Sequence, residues 1–186
     1  PQVPWYVALG NHDHNGNVSV QLQMHHEYPL WNMPSNEYSF VRDDHGFVVM
    51  DSTRWKNSRA DKLLFQLNTK YKWLIAHHPL YSAGFHHTIS NDYRTFVKSI
   101  MAKHNVQCLL SGHDHNLQYI EHDGVRQIIS GAGASTYHTQ QEQKGLQFFS
   151  SNPGFLQMIF QKQHVMLNYF GVSSKLFSKI LLYTTT

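Results

Sequence analysis

The sequence has a single cysteine, Cys108, so no disulfide closes within its 186 residues. That cysteine sits in the apolar run Cys108-Leu109-Leu110, the setting of a buried, inert thiol rather than of a nucleophile. No apolar run approaches the ~20 residues of a membrane-spanning helix, so no membrane span is expected. Charged residues are sparse at 15%, and 15 Lys+Arg against 12 Asp+Glu leave a net charge of only +3. Without a basic run there is no stripe for a phosphodiester backbone, and no nucleic-acid partner is expected. The chain opens at Pro1 with neither a Met nor a signal peptide, as a processed or truncated chain does.

Histidine and aromatic residues are what the chain has in quantity: 15 His, with 11 Phe, 10 Tyr and 4 Trp. Together with 41% hydrophobic content, the aromatics supply the core of one globular domain and exclude general disorder. Histidine is the commonest protein metal ligand. Three stretches place histidine or asparagine directly after a short apolar run. They are Trp5–Leu9 before Gly10-Asn11-His12-Asp13, Trp73–Ala76 before His77-His78-Pro79, and Cys108–Leu110 before Ser111-Gly112-His113-Asp114-His115. Read as three strands, they deliver their polar residues at strand C-termini, where open α/β sheets place ligands. The i, i+2 pair His113 and His115 brings two imidazoles to one side of a turning backbone, facing one metal or two adjacent ones.

Taken in order, the pattern predicts a helix over 18–28 and a loop over 29–36 with two prolines. Tyr38–Val41 and Phe47–Met50 flank a turn and predict a hairpin. A helix over 58–69 has Ser58 as its cap and Leu63, Leu64 and Leu67 inward. A second over 91–104 is capped by Asn91, with Phe96, Val97 and Ile100 inward. Leu117–Ile120 and Val125–Ile129 flank Asp123-Gly124, a hairpin turn of high β propensity. Residues 140–152 read as polar and exposed. Phe155–Phe160 and His164–Phe170 form a strand pair, followed by an edge strand over 180–183. The order implies two packed sheets with helices outside.

Gly10-Asn11-His12-Asp13, Ala76-His77-His78-Pro79 and Gly112-His113-Asp114-His115 together resemble the metallophosphoesterase family, and within it the small purple acid phosphatases of the tartrate-resistant type. Trp31-Asn32, Gly16 through Ser19 and Ser130–Gly133 extend the resemblance over nearly the whole chain. It implies an α+β or α/β fold, the four-layer αββα sandwich, with 1–186 forming one partial domain that lacks its N-terminal portion. It implies hydrolysis of phosphate monoesters by a metal-bound hydroxide in a binuclear centre, iron(III) with a divalent ion (Fe, Zn or Mn). Carried over by motif, Asn11, His77 and His113 are ligands of the divalent metal and His115 binds the neighbouring iron. His12 and His86 become catalytic residues beside the substrate phosphate and its leaving group. Asp13 and Asp114 orient neighbouring imidazoles without touching metal. His14, His78 and His87 are neighbours of the site without an assigned role. Asn17, in Asn17-Val18-Ser19, is a glycosylation acceptor, consistent with the secreted or lysosomal setting the resemblance implies.

The chain departs from the family pattern in one respect. The family's Asp-x-Gly and Gly-Asp-x-x-Tyr motifs, which bring the bridging aspartate and the iron-binding tyrosinate, are absent, and Asp43, Asp51 and Asp123 stand in other contexts. The expectation is therefore the C-terminal part of a longer phosphatase, which by itself binds metal poorly and is nearly inactive. Two alternatives stay open: a phosphodiesterase or nuclease of the same superfamily, and a non-catalytic metal-binding or interaction protein. The sequence leaves the oligomeric state open.

Overall fold

Two sheets of very different composition organise the chain. The computed structural model describes residues 2–86, 88–138, 140–162, 164–172 and 175–183. The elements run β1 (Trp5–Tyr6), α1 (Asn11–His14), α2 (Val18–Glu27), β2 (Trp31–Asn32), β3 (Tyr38–Arg42) and β4 (His45–Met50). After a 3₁₀ segment over Ser52–Asn57 come α3 (Ala60–Gln66), β5 (Tyr71–Ala76), α4 (Asn91–Lys103), β6 (Val106–Ser111), β7 (Leu117–His122) and β8 (Val125–Ser130). The chain finishes with β9 (Leu146–Ser150), β10 (Gly154–Phe160), β11 (His164–Gly171) and β12 (Leu176–Tyr183).

The larger sheet has seven strands in the order β3-β4-β5-β6-β8-β7-β9. Its centre, β4, β5, β6 and β8, is parallel. These strands are apolar on both faces, as parallel strands covered from both sides must be. Side chains alternate accordingly. Leu74 and Ala76 of β5 face the helices, packing with Ala60 and Leu64 of α3 and Tyr93, Val97 and Ile100 of α4. Trp73, one residue out of phase, faces the other way with Phe47 and Cys108, into Val165, Leu167, Tyr169 and Leu182 of the second sheet. That second sheet is the antiparallel β10-β11-β12. Helices, large sheet and small sheet thus give three successive layers among the described residues, the αββ part of the expected sandwich.

The hairpin turns follow their sequence. At the β7–β8 corner Asp123 and Gly124 both have positive φ, 54° and 75°, the conformation Asp-Gly favours. Other elements differ from the sequence reading. Trp5–Leu9 is not a strand of the main sheet. Only Trp5 and Tyr6 are extended, and they pair in parallel with Trp31 and Asn32 inside the stretch read as loop. Leu9 turns inward instead, into a small core with Met33, Tyr38 and Val49. Residues 146–150, read as exposed, form the half-buried β9 along β7, with the Phe148 ring packed at a tilt on Tyr169, centroids 4.4 Å apart. The helix expected over 58–69 is shorter, since Leu67 already has extended dihedrals. Ser58 does serve its start: its hydroxyl accepts the Ala60 N–H at 3.1 Å. Buried Glu37 completes that start, accepting from Ser58 Oγ and the Arg59 N–H, each at 2.6 Å. On α4 the residue at the cap is Ser90, not Asn91, and no side chain caps there. The Asn91 amide oxygen instead takes a hydrogen bond from Arg94 at 2.8 Å.

Candidate metal centre

All four parallel strands end at one rim, and three of those ends build the site. The fourth contribution, Asn11, comes on α1, which is held against the rim from outside the main sheet. The Tyr38 hydroxyl lies 3.0 Å from the Val7 carbonyl and 2.8 Å from that of Asn32, pinning the segment that leads to Gly10. Asp13 then closes the turn by accepting the Gly10 N–H at 2.8 Å, and Gln21 donates to its other oxygen at 3.3 Å.

At the centre His77 Nε2 stands 2.9 Å from Asn11 Oδ1 and 3.1 Å from His113 Nδ1. Two nitrogens bound to one tetrahedral zinc at ~2.1 Å each stand about 3.4 Å apart, so these donors are already gathered as a cation requires. His113 holds its position with φ of 65°, a left-handed conformation unfavourable for a side chain of this type. The Gly112 N–H bonds to the His77 carbonyl at 3.2 Å and ties the two loops together. Among the described residues, one group of His, Cys, Asp or Glu offers three ligand atoms within 4.8 Å of one another: His77, His78 and His113.

The electrostatics suit lone-pair donation. Burial lowers His77 to a pKa of about 4, and the neighbouring His113 adds to the shift. Burial and His77 do the same to His78, and burial and His78 to His113, each to about 4. Three neutral imidazoles thus persist into mildly acidic conditions.

The other expected residues fall into place around this cluster. His12 lies exposed on α1, close enough to His77 for its charge to oppose protonation there. The His86 ring is brought in by the 77–90 loop, 4.5 Å from that of His113 and 6.4 Å from that of His115. His115 lies beside the cluster, close enough for its charge to oppose protonation of His77 and His113; its ring stacks on Tyr137 at 4.8 Å, and its Nδ1 lies 2.7 Å from Ser135 Oγ. The donor chemistry therefore fits one divalent ion at Asn11, His77 and His113. Beside His115 no further group of three such ligand atoms is found among the described residues.

Neither aspartate is hydrogen-bonded to an imidazole in the described set. Asp13 holds the α1 turn, as above. Asp114 is fully buried, accepts from Ser82 Oγ, and fixes the 77–90 loop against the 112–116 turn. Asn17 is exposed, and its side-chain oxygen caps α2 by accepting the Ser19 N–H at 3.0 Å and the Ser19 hydroxyl at 2.6 Å. His87 lies outside the described residues. His14, on the far side of α1, meets buried Asp51 at 3.0 Å.

Residues that the sequence did not single out hold the loops in place. Buried Gln127 of β8 accepts the Leu80 and Tyr81 N–H groups, the latter at 3.1 Å, and buried Gln118 of β7 accepts that of Ala83 at 2.8 Å. Ser52, at the end of β4, contacts both the ring and the backbone of His78. In the sequence, Gln118 and Gln127 were the polar members of alternating strands. Only the presence of a loop lacking partners of its own gives them a task.

Comparison with known proteins bears on the family and the fold. Residues 1–117 match the calcineurin-like phosphoesterase family model. The tartrate-resistant acid phosphatase type 5 of the rabbit, Oryctolagus cuniculus, is 27% identical over 215 aligned residues, covering 93% of this chain and 65% of the relative. The chain thus spans under two-thirds of that relative's length. Among solved structures, GAP50, the anchor in the inner membrane complex of Plasmodium, superposes with a TM-score of 0.85 at 19% identity, over 98% of this chain and 67% of that one. A purple acid phosphatase from seeds of yellow lupin, Lupinus luteus, gives 0.72 at 16% identity, over 98% and 39%. At these identities the structures speak for the fold, and the family match speaks for descent: the chain belongs to the calcineurin-like phosphoesterase family.

Proposed function

We propose that this chain carries the divalent-metal half of an acid phosphatase acting on phosphate monoesters. The observation that carries this reading is the convergence of Asn11 Oδ1, His77 Nε2 and His113 Nδ1 within 2.9 and 3.1 Å at the strand C-termini. An amide oxygen with imidazoles suits zinc, manganese or iron(II). Such an ion, when bound, supplies positive charge that holds a phosphate oxygen and offsets the charge developing during in-line attack. His12, exposed beside the cluster, protonates the leaving-group oxygen. His86, over the His113 ring, lies on the approach of that leaving group. Asp13 acts indirectly, by fixing the α1 turn that aims Asn11. The neighbouring iron(III) site expected at His115 lacks its partners among the described residues, and no step is assigned to it. The family resemblance supports a secreted or lysosomal setting.

The test is hydrolysis of p-nitrophenyl phosphate against bis(p-nitrophenyl) phosphate at acidic pH, with metal content measured on the same sample. Faster monoester turnover that is lost in His113→Ala supports the phosphatase. Faster diester turnover replaces it with a phosphodiesterase. Bound metal with no turnover of either ester leaves a non-catalytic metal-binding protein.

A further inference from the structure

We propose that His78 is a further ligand of the divalent ion, so that one ion of the zinc class is held by His78 Nε2 together with Asn11 Oδ1, His77 Nε2 and His113 Nδ1. This rests on the reading that the cleft binds metal, and it adds a ligand that the strand-end motifs do not assign. One nitrogen of each of His77, His78 and His113 lies within 4.8 Å of the other two. The His78 ring centroid is 4.5 Å from that of His113 and 5.0 Å from that of His77.

The Nδ1 side of His78 is already engaged. Ser52 Oγ accepts the His78 backbone N–H at 3.0 Å and lies 2.8 Å from His78 Nδ1. The Tyr93 hydroxyl donates to the His78 carbonyl at 2.8 Å. In the proposed site Nδ1–H donates to Ser52 Oγ, and Nε2 keeps the lone pair for the ion. This is the arrangement in which metal-bound histidines are found, one nitrogen on the ion and the other donating to a fixed oxygen. The result is a four-donor, three-nitrogen site built without any bridging carboxylate. It opens on a cleft of about 270 Å³ lined by Asn11, Ser52, His78, Tyr93 and His113.

The full chain is titrated with Zn(II) by calorimetry and with Co(II) by visible absorption. One ion per chain, with the intense bands of four-coordinate cobalt, is the expected result. His78→Phe then weakens binding at least tenfold and replaces those bands with weaker ones. Ser52→Ala keeps the imidazole but frees its tautomer, giving a smaller loss; it carries the test if His78→Phe does not fold. Unchanged affinity and spectrum in either folded variant overturn the proposal. If the parent chain binds metal and hydrolyses phosphate while His78→Phe changes neither binding nor spectrum, only the His78 assignment falls. If the parent chain binds no ion, the reading of this cleft as a metal site of the chain falls with it.

Discussion

Gly10 and His77 meet so closely that a methyl group on Gly10 would stand 2.8 Å from Cε1 and Nδ1 of the His77 ring. The glycine at the head of the Gly-Asn-His-Asp stretch is therefore required by a neighbour 67 positions along the chain, since its φ of −111° suits any residue. Gly10→Ala pushes the imidazole away from Asn11 and His113. Zinc affinity should fall about tenfold or more, the scale on which ligand-orienting contacts act. Calorimetry checks this, with an unchanged far-UV circular dichroism spectrum showing that the fold survives.

Metal should stabilise the chain by mass action. Zinc in hundredfold excess over its Kd adds about 2.7 kcal/mol. The melting temperature should rise with zinc and return with a chelator. In His113→Ala the rise should shrink markedly at the same zinc concentration, because one of the ion's donors is gone.

Gln127 is a stability residue that supports the site. Gln127→Leu leaves the buried Leu80 and Tyr81 N–H groups without their acceptor. An unsatisfied buried donor costs about 1–3 kcal/mol. Urea unfolding should show a loss of roughly that size, with the metal-site loop loosened in hydrogen exchange before the sheet.

His45 predicts a pH dependence away from the metal. Its Nδ1 accepts the Trp73 indole N–H at 2.9 Å, and burial lowers its pKa from the ordinary value, against the opposing charges of Asp44 and Asp43. The unfolded chain takes up this proton first as pH falls, so stability is full above about 6.5 and declines below it. His45→Phe should flatten the acid side of the melting-temperature profile relative to the parent. An identical slope in both proteins would remove His45 from the account.

Asn17 should carry a glycan when the chain is expressed through a secretory pathway. Ser19→Ala removes the acceptor triplet and keeps the Asn17 cap to the Ser19 N–H. Loss of one glycosidase-sensitive mass step in that variant confirms the site; an equal mass in parent and variant refutes it.

The sequence by itself determined the strand-to-histidine junctions at His77 and His113, the Asp123-Gly124 hairpin and the two buried helices. Each is local: alternation, turn chemistry and the 3.6-residue stripe act over a few neighbours. It also showed which family motifs are present, and so which ligands to expect. Only the tertiary structure decided the rest. Trp5–Leu9 reads as a strand, but only Trp5 and Tyr6 pair, with Trp31-Asn32, while Leu9 packs with Met33 onto Tyr38 and Val49 of the main sheet instead of hydrogen-bonding into it. Asp13 and Asp114 have the composition of imidazole partners, yet backbone and serine donors lie nearer and claim them. His78 reads as one more histidine in a histidine-rich loop. The end of β4 brings Ser52 beneath it, and that contact between residues 26 apart engages Nδ1 of the ring. Hydrogen bonds of this kind depend on where distant strands end, and strand ends meet only once the parallel register of β4, β5 and β6 is set.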